Sequence, residues 1–329
     1  MVIGHPPPRQ AAVVTIPRSP HGATSNYCPG RSGRNRTRVT MSFRFRAKES
    51  PAVAVRRIAR SELRLAAAAL RRHSRETVRI HTARKHLKKL RAVLRLVRAQ
   101  TGTAFFRTHN RRLRDLGRRL APLRDAQVAL LTLARLRRRA PDTRTRRAAS
   151  HLRRLINARL PHETREAVLR SVADELQALR REVGRWPLNE IAWPDLARAL
   201  TRTYRRAQIE REHFRLRRDV ASLHEWRKRS KDLWYQLLLL DTLCRKPARK
   251  LACALDELTD TQGLMHDLQL VLDSLHRHVR TLAVWERQAI SELTGDRLEE
   301  LDATALRLGN RVFLESPSSF LQNLRAHPK

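Results

Sequence analysis

From Pro51 onward, apolar residues recur at three- and four-residue intervals, the spacing of one buried face of an α-helix. Ile80, Ala83, Leu87, Leu90, Leu94 and Val97 follow heptad spacing. Leu223, Trp226, Leu233, Leu237 and Leu240 do the same, with Ser230 in the remaining place. Breaks in this pattern give the elements. Pro51 suits the first turn of a helix reaching about His73. A second helix is predicted from about Glu76 to Gln100, interrupted near Gly102, and a third from about Ala104 to Leu120. Pro122 opens a fourth that ends near Pro141, and two more follow with a break at Pro161. The stretch from Gly184 to Pro194, with two Trp and two Pro, is the expected boundary between halves. Helices resume over about Asp195 to Arg215, Val220 to Cys244, Pro247 to Thr261 and Gly263 to Leu282, with at least one more beyond.

The expected class is therefore all-α: two antiparallel four-helix bundles, the first about 51–183 and the second about 194–311, within a domain of 41–315. Residues 316–329 read as a frayed end. Residues 1–40 hold six Pro, four Gly and six Arg and no acid, since the first acidic residue is Glu49. Such a segment buries too little to offset the entropy of ordering. It reads as a disordered basic tail or an over-extended start, with initiation at Met41.

Charge changes the picture more than length does. Across 329 residues, 70 Lys and Arg face 31 Asp and Glu, a net charge of +39. Self-repulsion on this scale opposes compaction unless a polyanion relieves it, so the candidate partners are nucleic acid, an anionic membrane or a phosphate polymer. Low aromatic content (5%) and abundant Leu, Ala and Arg favour helix over sheet. Cys28, Cys244 and Cys253 make no disulfide framework, which suits a reducing cytoplasm. No apolar run approaches the roughly 20 residues of a membrane helix.

The chain also repeats itself. Ile80-His81-Thr82-Ala83-Arg84-Lys85-His86-Leu87-Lys88 returns as Leu223-His224-Glu225-Trp226-Arg227-Lys228-Arg229-Ser230-Lys231, an offset of 143. Asp125-Ala126-Gln127-Val128 returns as Asp267-Leu268-Gln269-Leu270, and Leu116 as Leu258, at an offset of 142. The repeat implies a pseudo-two-fold relation between the bundles. In each copy His, Arg, Lys and Lys stand at i, i+3, i+4 and i+7, one stripe of a helix. Like charges at this spacing destabilise a helix locally. Two such stripes (His81, Arg84, Lys85, Lys88 and His224, Arg227, Lys228, Lys231), with almost no acidic partner in either copy, point to a bound anion rather than to a solvated face. Arg57 and Arg60 on the first helix, and Tyr204 and Arg205 before the second stripe, are candidate extensions of that surface. Arg offers planar bidentate donors to phosphate and Lys a mobile point charge.

Asp125 and Asp267 either orient a stripe residue or pin a helix to its neighbour, the latter being the favoured reading. The surrounding cations oppose a metal at His81 or His224, and the Cys are not spaced as zinc ligands. There is no phosphate-binding Gly loop, dinucleotide fingerprint or nucleophile elbow, so neither catalysis nor a cofactor is expected. Protonated His beside a polyanion would make binding rise on acidification. Nucleic acid would use the same charges through counterion release, but base recognition needs exposed aromatics. The Trp residues lie mainly in loops or on apolar stripes. An adaptor for an anionic lipid surface is a further alternative.

The run His224-Glu225-Trp226-Arg227-Lys228-Arg229-Ser230-Lys231-Asp232-Leu233-Trp234-Tyr235-Gln236-Leu237 resembles the signature of CHAD domains, helical domains named for their histidines. The stripe at His81, the run from Leu123 to Val128 and Tyr204-Arg205-Arg206 are similar to its other motifs, so the resemblance covers about residues 45–310. It implies two four-helix bundles around a central groove or pore. It also implies binding of inorganic polyphosphate, often at cytoplasmic polyphosphate granules, with the two stripes as phosphate contacts. Two departures stand out. His266 occupies the place that Arg124 holds in the first copy, and Gln262-Gly263 replaces the family's small residue before the second Asp. The triphosphate-tunnel motif E-x-E-x-K that accompanies many members is absent: Glu210 and Glu212 are followed by Phe214.

Overall fold

The computed structural model describes residues 43–46, 48–158, 165–188, 190–242 and 246–324. The segment 1–40 and the break at Pro161 lie outside these residues. Helices α1 (Pro51–Arg71), α2 (Glu76–Leu96), α3 (Arg98–Thr101), α4 (Thr103–Arg119), α5 (Ala121–Arg139), α6 (Thr143–Ala158) and α7 (Arg165–Glu182) make up the first half. Helices α8 (Trp193–Arg217), α9 (Val220–Leu239), α10 (Lys246–Arg277), α11 (Val284–Val312) and α12 (Pro317–Leu324) make up the second. No strand occurs among the described residues.

Local chemistry sets the ends. Ser50 and Asp219 cap α1 and α9 by accepting the N–H groups of Val53 and Ser222, at 3.5 and 2.7 Å. Gly102 ends α3 at φ 82°, the positive-φ region that glycine enters without a Cβ penalty. Between halves, residues 186–188 are not helical and are held to α1, where Arg56 Nη2 donates to the carbonyls of Trp186 (3.0 Å) and Leu188 (3.2 Å).

Helix α1 packs on α2 and α7, α8 on α9 and α12, and α10 on α9 and α11. Helices α5 and α6, both from the first half, pack across to α10 and α11 of the second. At the centre α2 lies directly against α9. Buried polar groups are matched there. Glu62 of α1 receives His86 Nδ1 at 2.6 Å and faces Lys89 Nζ at 3.7 Å, while Arg95 of α2 reaches Asp232 of α9 at 3.1 Å.

Two sequence expectations fail for packing reasons. No break separates 247–261 from 263–282: α10 is one helix of 32 residues. A helix-interior glycine costs only about 1 kcal/mol against alanine, and the flanking Gln262 and Met265 are buried. Nor are residues 316–329 simply frayed. Residues 317–324 form α12, whose buried Phe320 stacks on Tyr204 with ring centroids 4.2 Å apart.

In the second half Trp226 of α9 packs closely against Gly309 of α11. Trp226 is fully buried and stacks on Phe214, and a Cβ at Gly309 would lie 2.7 Å from its ring. Trp226→Ala is expected to lower the unfolding free energy by about 3–5 kcal/mol. Gly309→Ala should lower it by about 1–3 kcal/mol by overpacking. Denaturant unfolding reads both, and an unchanged midpoint in either would show that the contact contributes nothing.

Candidate functional site

The stripes of α2 and α9 face the centre of the molecule, where α5 and α10 close the ring around them. Apolar residues on the opposite side of each stripe helix fix the orientation: Ile80, Ala83, Leu87 and Leu90 on α2, and Leu223, Trp226 and Leu233 on α9, are all buried. The stripe arginines are held by main-chain carbonyls. Arg84 Nη1 donates to Gly117 at 2.6 Å, and Arg227 Nη1 donates to Thr259 at 2.7 Å. The two carbonyls follow Leu116 and Leu258, so the same hydrogen bond occurs at both copies of the sequence motif. Lys231 Nζ donates to Thr259 Oγ1 at 3.0 Å and lies 3.9 Å above the Trp234 ring. Lys228 is paired with Glu225 at 2.8 Å.

Lys88 differs. It is exposed to water although it lies deep among the helices, as a side chain lining a solvent-filled recess does. Desolvation, then Arg227, Arg84, Lys231 and Arg124, push its ammonium down to about 7. Lys231 is pushed down to about 8 by burial and then by Arg227, partly offset by Asp260 and Asp256. Burial, and then Arg124, Lys88, Lys85 and Arg84, lower His81 to about 4. Burial, and then Arg227, Lys88, His224 and Arg84, lower His266 to about 3. The charges that act most strongly on Lys88, His81 and His266 are cationic, with Asp125 and Asp267 also facing Lys88, and none of the three side chains makes a hydrogen bond or ion pair among the described residues. The ring of His266 stands 6.2 Å from that of His224.

Reading one helix at a time missed part of this site. The stripes are not as uncompensated as the sequence of α2 and α9 implies, because other helices bring in acids. Asp125 faces Arg84 and Arg124, while Asp267 faces Arg227 and Arg124. Asp260 faces Lys231, Arg227 and Lys85. All three carboxyls are raised by burial. Asp125 and Asp267 cap no helix and pin none by a hydrogen bond among the described residues. They face the stripe guanidiniums from neighbouring helices as countercharges. Asp256 and Asp260 lie mid-way along α10. Arg124 and His266 join the recess, and the available signal was their equivalent place directly before the two paired Asp.

The satellite candidates do not converge on the recess. Arg57 grips Glu49 (2.7 and 2.6 Å) and the carbonyl of Arg44 (2.7 Å), tying the segment before α1 to the helix. Arg60 is exposed where Gly184 packs on α1, with a guanidinium nitrogen 3.0 Å from the place of a glycine Cβ. Tyr204 is buried against Phe320 and donates to the Glu315 carbonyl at 3.0 Å, a core role. Arg205 is exposed on α8.

Lysine use supports the assignment. The chain has nine Lys, and five of them (Lys85, Lys88, Lys89, Lys228 and Lys231) stand on α2 and α9. Elsewhere the positive charge is almost wholly Arg. No helix of the described residues is long and apolar enough to cross a membrane, and no group of His, Cys, Asp and Glu among them could hold a metal ion.

Comparison with known proteins agrees with this architecture. No curated protein matches the chain significantly. Among solved structures, the crystal structure of the CHAD domain from the plant Ricinus communis is similar, with a TM-score of 0.59 and 18% identity. The match covers 87% of this chain and 96% of that one, a likeness of fold. The family model for the CHAD domain matches residues 54–276. Over that span, which includes both stripes, the chain belongs to the CHAD domain family.

Proposed function

We propose that this protein binds inorganic polyphosphate in the recess between α2, α5, α9 and α10, and that it does so as a binding module without a catalysed reaction. CHAD domains are associated with polyphosphate binding in general. The observation that carries the reading for this chain is the group His81, Lys88 and His266: donors set between α2, α5, α9 and α10, dominated by neighbouring cations and unpartnered among the described residues. Like-charged donors crowded together repel one another, and a chain of phosphate oxygens would relieve that repulsion and supply acceptors to all three at once. Lys88, Lys85 and Lys231 would displace condensed counterions, whose release favours binding. The stripe arginines, already anchored by one main-chain bond each, would present their remaining N–H groups. The imidazoles, neutral at neutral pH, would donate one N–H each. Retention at cytoplasmic polyphosphate granules is the expected cellular consequence.

Competition tests the reading. Labelled long-chain polyphosphate on the full-length protein at near-physiological salt is expected to resist DNA, RNA and heparin at equal charge. The aromatics argue the same way: Trp226 and Trp234 are buried and offer no platform for bases. Ready displacement by nucleic acid would mark a general polyanion or nucleic-acid surface and end the polyphosphate reading.

A further inference from the structure

A second basic site lies outside the recess. The C-terminal end of α5, one face of α6 and the start of α11 enclose a groove of about 410 Å³. Its lining includes Arg137, Arg146, Arg147, Arg154, His151 and Trp285. From Arg124 at the recess to Arg137 at the groove is 13 residues of α5, about 20 Å of helix at 1.5 Å per residue.

The groove carries a local charge excess that the protein does not balance. Residues 135–154 contain nine Arg and a single acid, Asp142. Asp142 is engaged as the cap of α6, accepting Thr145 N–H at 2.6 Å. The one carboxylate in the groove, Glu286, is also spent: one oxygen receives His151 Nδ1 at 2.8 Å and the other the N–H of Ala283 at 2.9 Å. Arg137, Arg147 and Arg154 are exposed and have no hydrogen bond or ion pair among the described residues. Exposed arginines elsewhere are of both kinds: Arg107, Arg111 and Arg170 are likewise unpartnered among the described residues, while others are paired. On α1, α2 and α4 the arginines Arg71, Arg79 and Arg112 are each paired with a carboxylate of α7 (Asp174, Glu166 and Glu182), at 2.5, 2.9 and 2.6 Å. A solvated basic face would be expected to mix signs as those helices do.

We propose that this groove is a second binding site for a phosphate chain. The proposal takes its ligand class from the polyphosphate reading above but stands on separate residues. Guanidinium groups suit bidentate capture of phosphate oxygens. The aromatic face that could stack a base is already covered, because the Arg144 guanidinium sits 4.7 Å over Trp285. That favours a phosphate chain without bases over nucleic acid. Two sites on one protein make binding of a long chain bivalent, so that the second contact forms at high effective concentration. They also let one protein join two chains.

Titration calorimetry with tripolyphosphate on the full-length protein tests this. Two binding sites per chain are expected. Arg147→Glu with Arg154→Glu is expected to leave one, with an unchanged thermal melt because both residues are exposed and unpartnered. Lys88→Glu is expected to leave the other. Unchanged stoichiometry and affinity in the Arg147/Arg154 variant would overturn the groove while leaving the central site intact. If Lys88→Glu removes nothing and the Arg147/Arg154 variant loses a site, the central reading fails and the groove stands. A single-stranded oligonucleotide that displaces tripolyphosphate from the Lys88→Glu protein at equal charge would assign the groove to nucleic acid and overturn the proposal.

Discussion

Lys88→Glu is expected to weaken polyphosphate binding at the recess sharply and, at the same time, to raise the melting temperature of the free protein. Both effects have one cause. The charges that act most strongly on Lys88 are Arg227, Arg84, Lys231 and Arg124, ahead of the carboxylates of Asp125 and Asp267, so the native ammonium is on balance repelled and a carboxylate would be attracted. A glutamate there would act as a built-in anion that fills the recess. Removing one charge-assisted hydrogen bond weakens binding by about 1.5–3 kcal/mol, and about 1.4 kcal/mol is tenfold. Deleting the Lys88 ammonium should therefore cost roughly 10- to 100-fold in affinity, and the added repulsion increases the loss. Arg205→Glu, on exposed α8, removes the same formal charge outside the recess and should change affinity only a few-fold. Equal losses in the two variants would mean that net charge, not the recess, governs binding. Arg227 is the less informative target, because its side chain also holds the Thr259 carbonyl and lies over Gly263, and a glutamate there would disturb the fold.

Affinity for polyphosphate is expected to fall as pH rises from about 7 to about 9. A bound polyanion favours the charged ammonium, so the bound pKa of Lys88 lies above its free value of about 7. Binding takes up a proton wherever the pH lies between the two. Lys231, at about 8 in the free protein, adds to the same slope. Below about 7 the lysine contribution is flat. Further strengthening on acidification then comes only from the imidazoles, which the cations hold neutral down to about 4 at His81 and about 3 at His266. The histidine switch expected from the sequence is thus displaced to acid, and lysine dominates near neutrality. The free protein should behave oppositely. The folded pKa of Lys88 lies below its ordinary 10.5, so the unfolded chain binds more protons and stability rises with pH between about 7 and 10.5. Dissociation constants at pH 6, 7, 8 and 9 and constant ionic strength read the effect. Lys88→Ala should flatten the curve above pH 7, and an unchanged slope in that variant would remove Lys88 from the account.

Helix identity and the buried faces were legible because the apolar period is a local property. Ile80, Leu87 and Leu90, and Leu223, Trp226 and Leu233, are buried as their spacing requires. The stripes were legible for the same reason, since residues at i, i+3, i+4 and i+7 share a face whatever the helix packs against. What the helix period cannot show is which charges meet across helices. Asp125, Asp260 and Asp267 come to the stripes from α5 and α10, and only the packing of α5 on α10 and of α2 on α9 brings them there. Tyr204 illustrates the opposite error. It sits beside a basic pair in sequence, but helical rotation turns Arg205 outward and Tyr204 inward onto Phe320. Gly263 looked like a stop because glycine lowers helix propensity. Burial of its neighbours carries α10 through it.

Amine footprinting gives the most direct test of the central claim. The full-length protein would be treated with an acetylating reagent, with and without long-chain polyphosphate, and modification at each lysine quantified by mass spectrometry. Lys88, Lys85, Lys228 and Lys231 should be strongly protected by the polymer, while exposed Lys48 and Lys250, outside the recess, should keep their reactivity. Protection of Lys48 and Lys250 with Lys88 still reactive would place the polymer elsewhere on the protein and contradict the recess as its binding site.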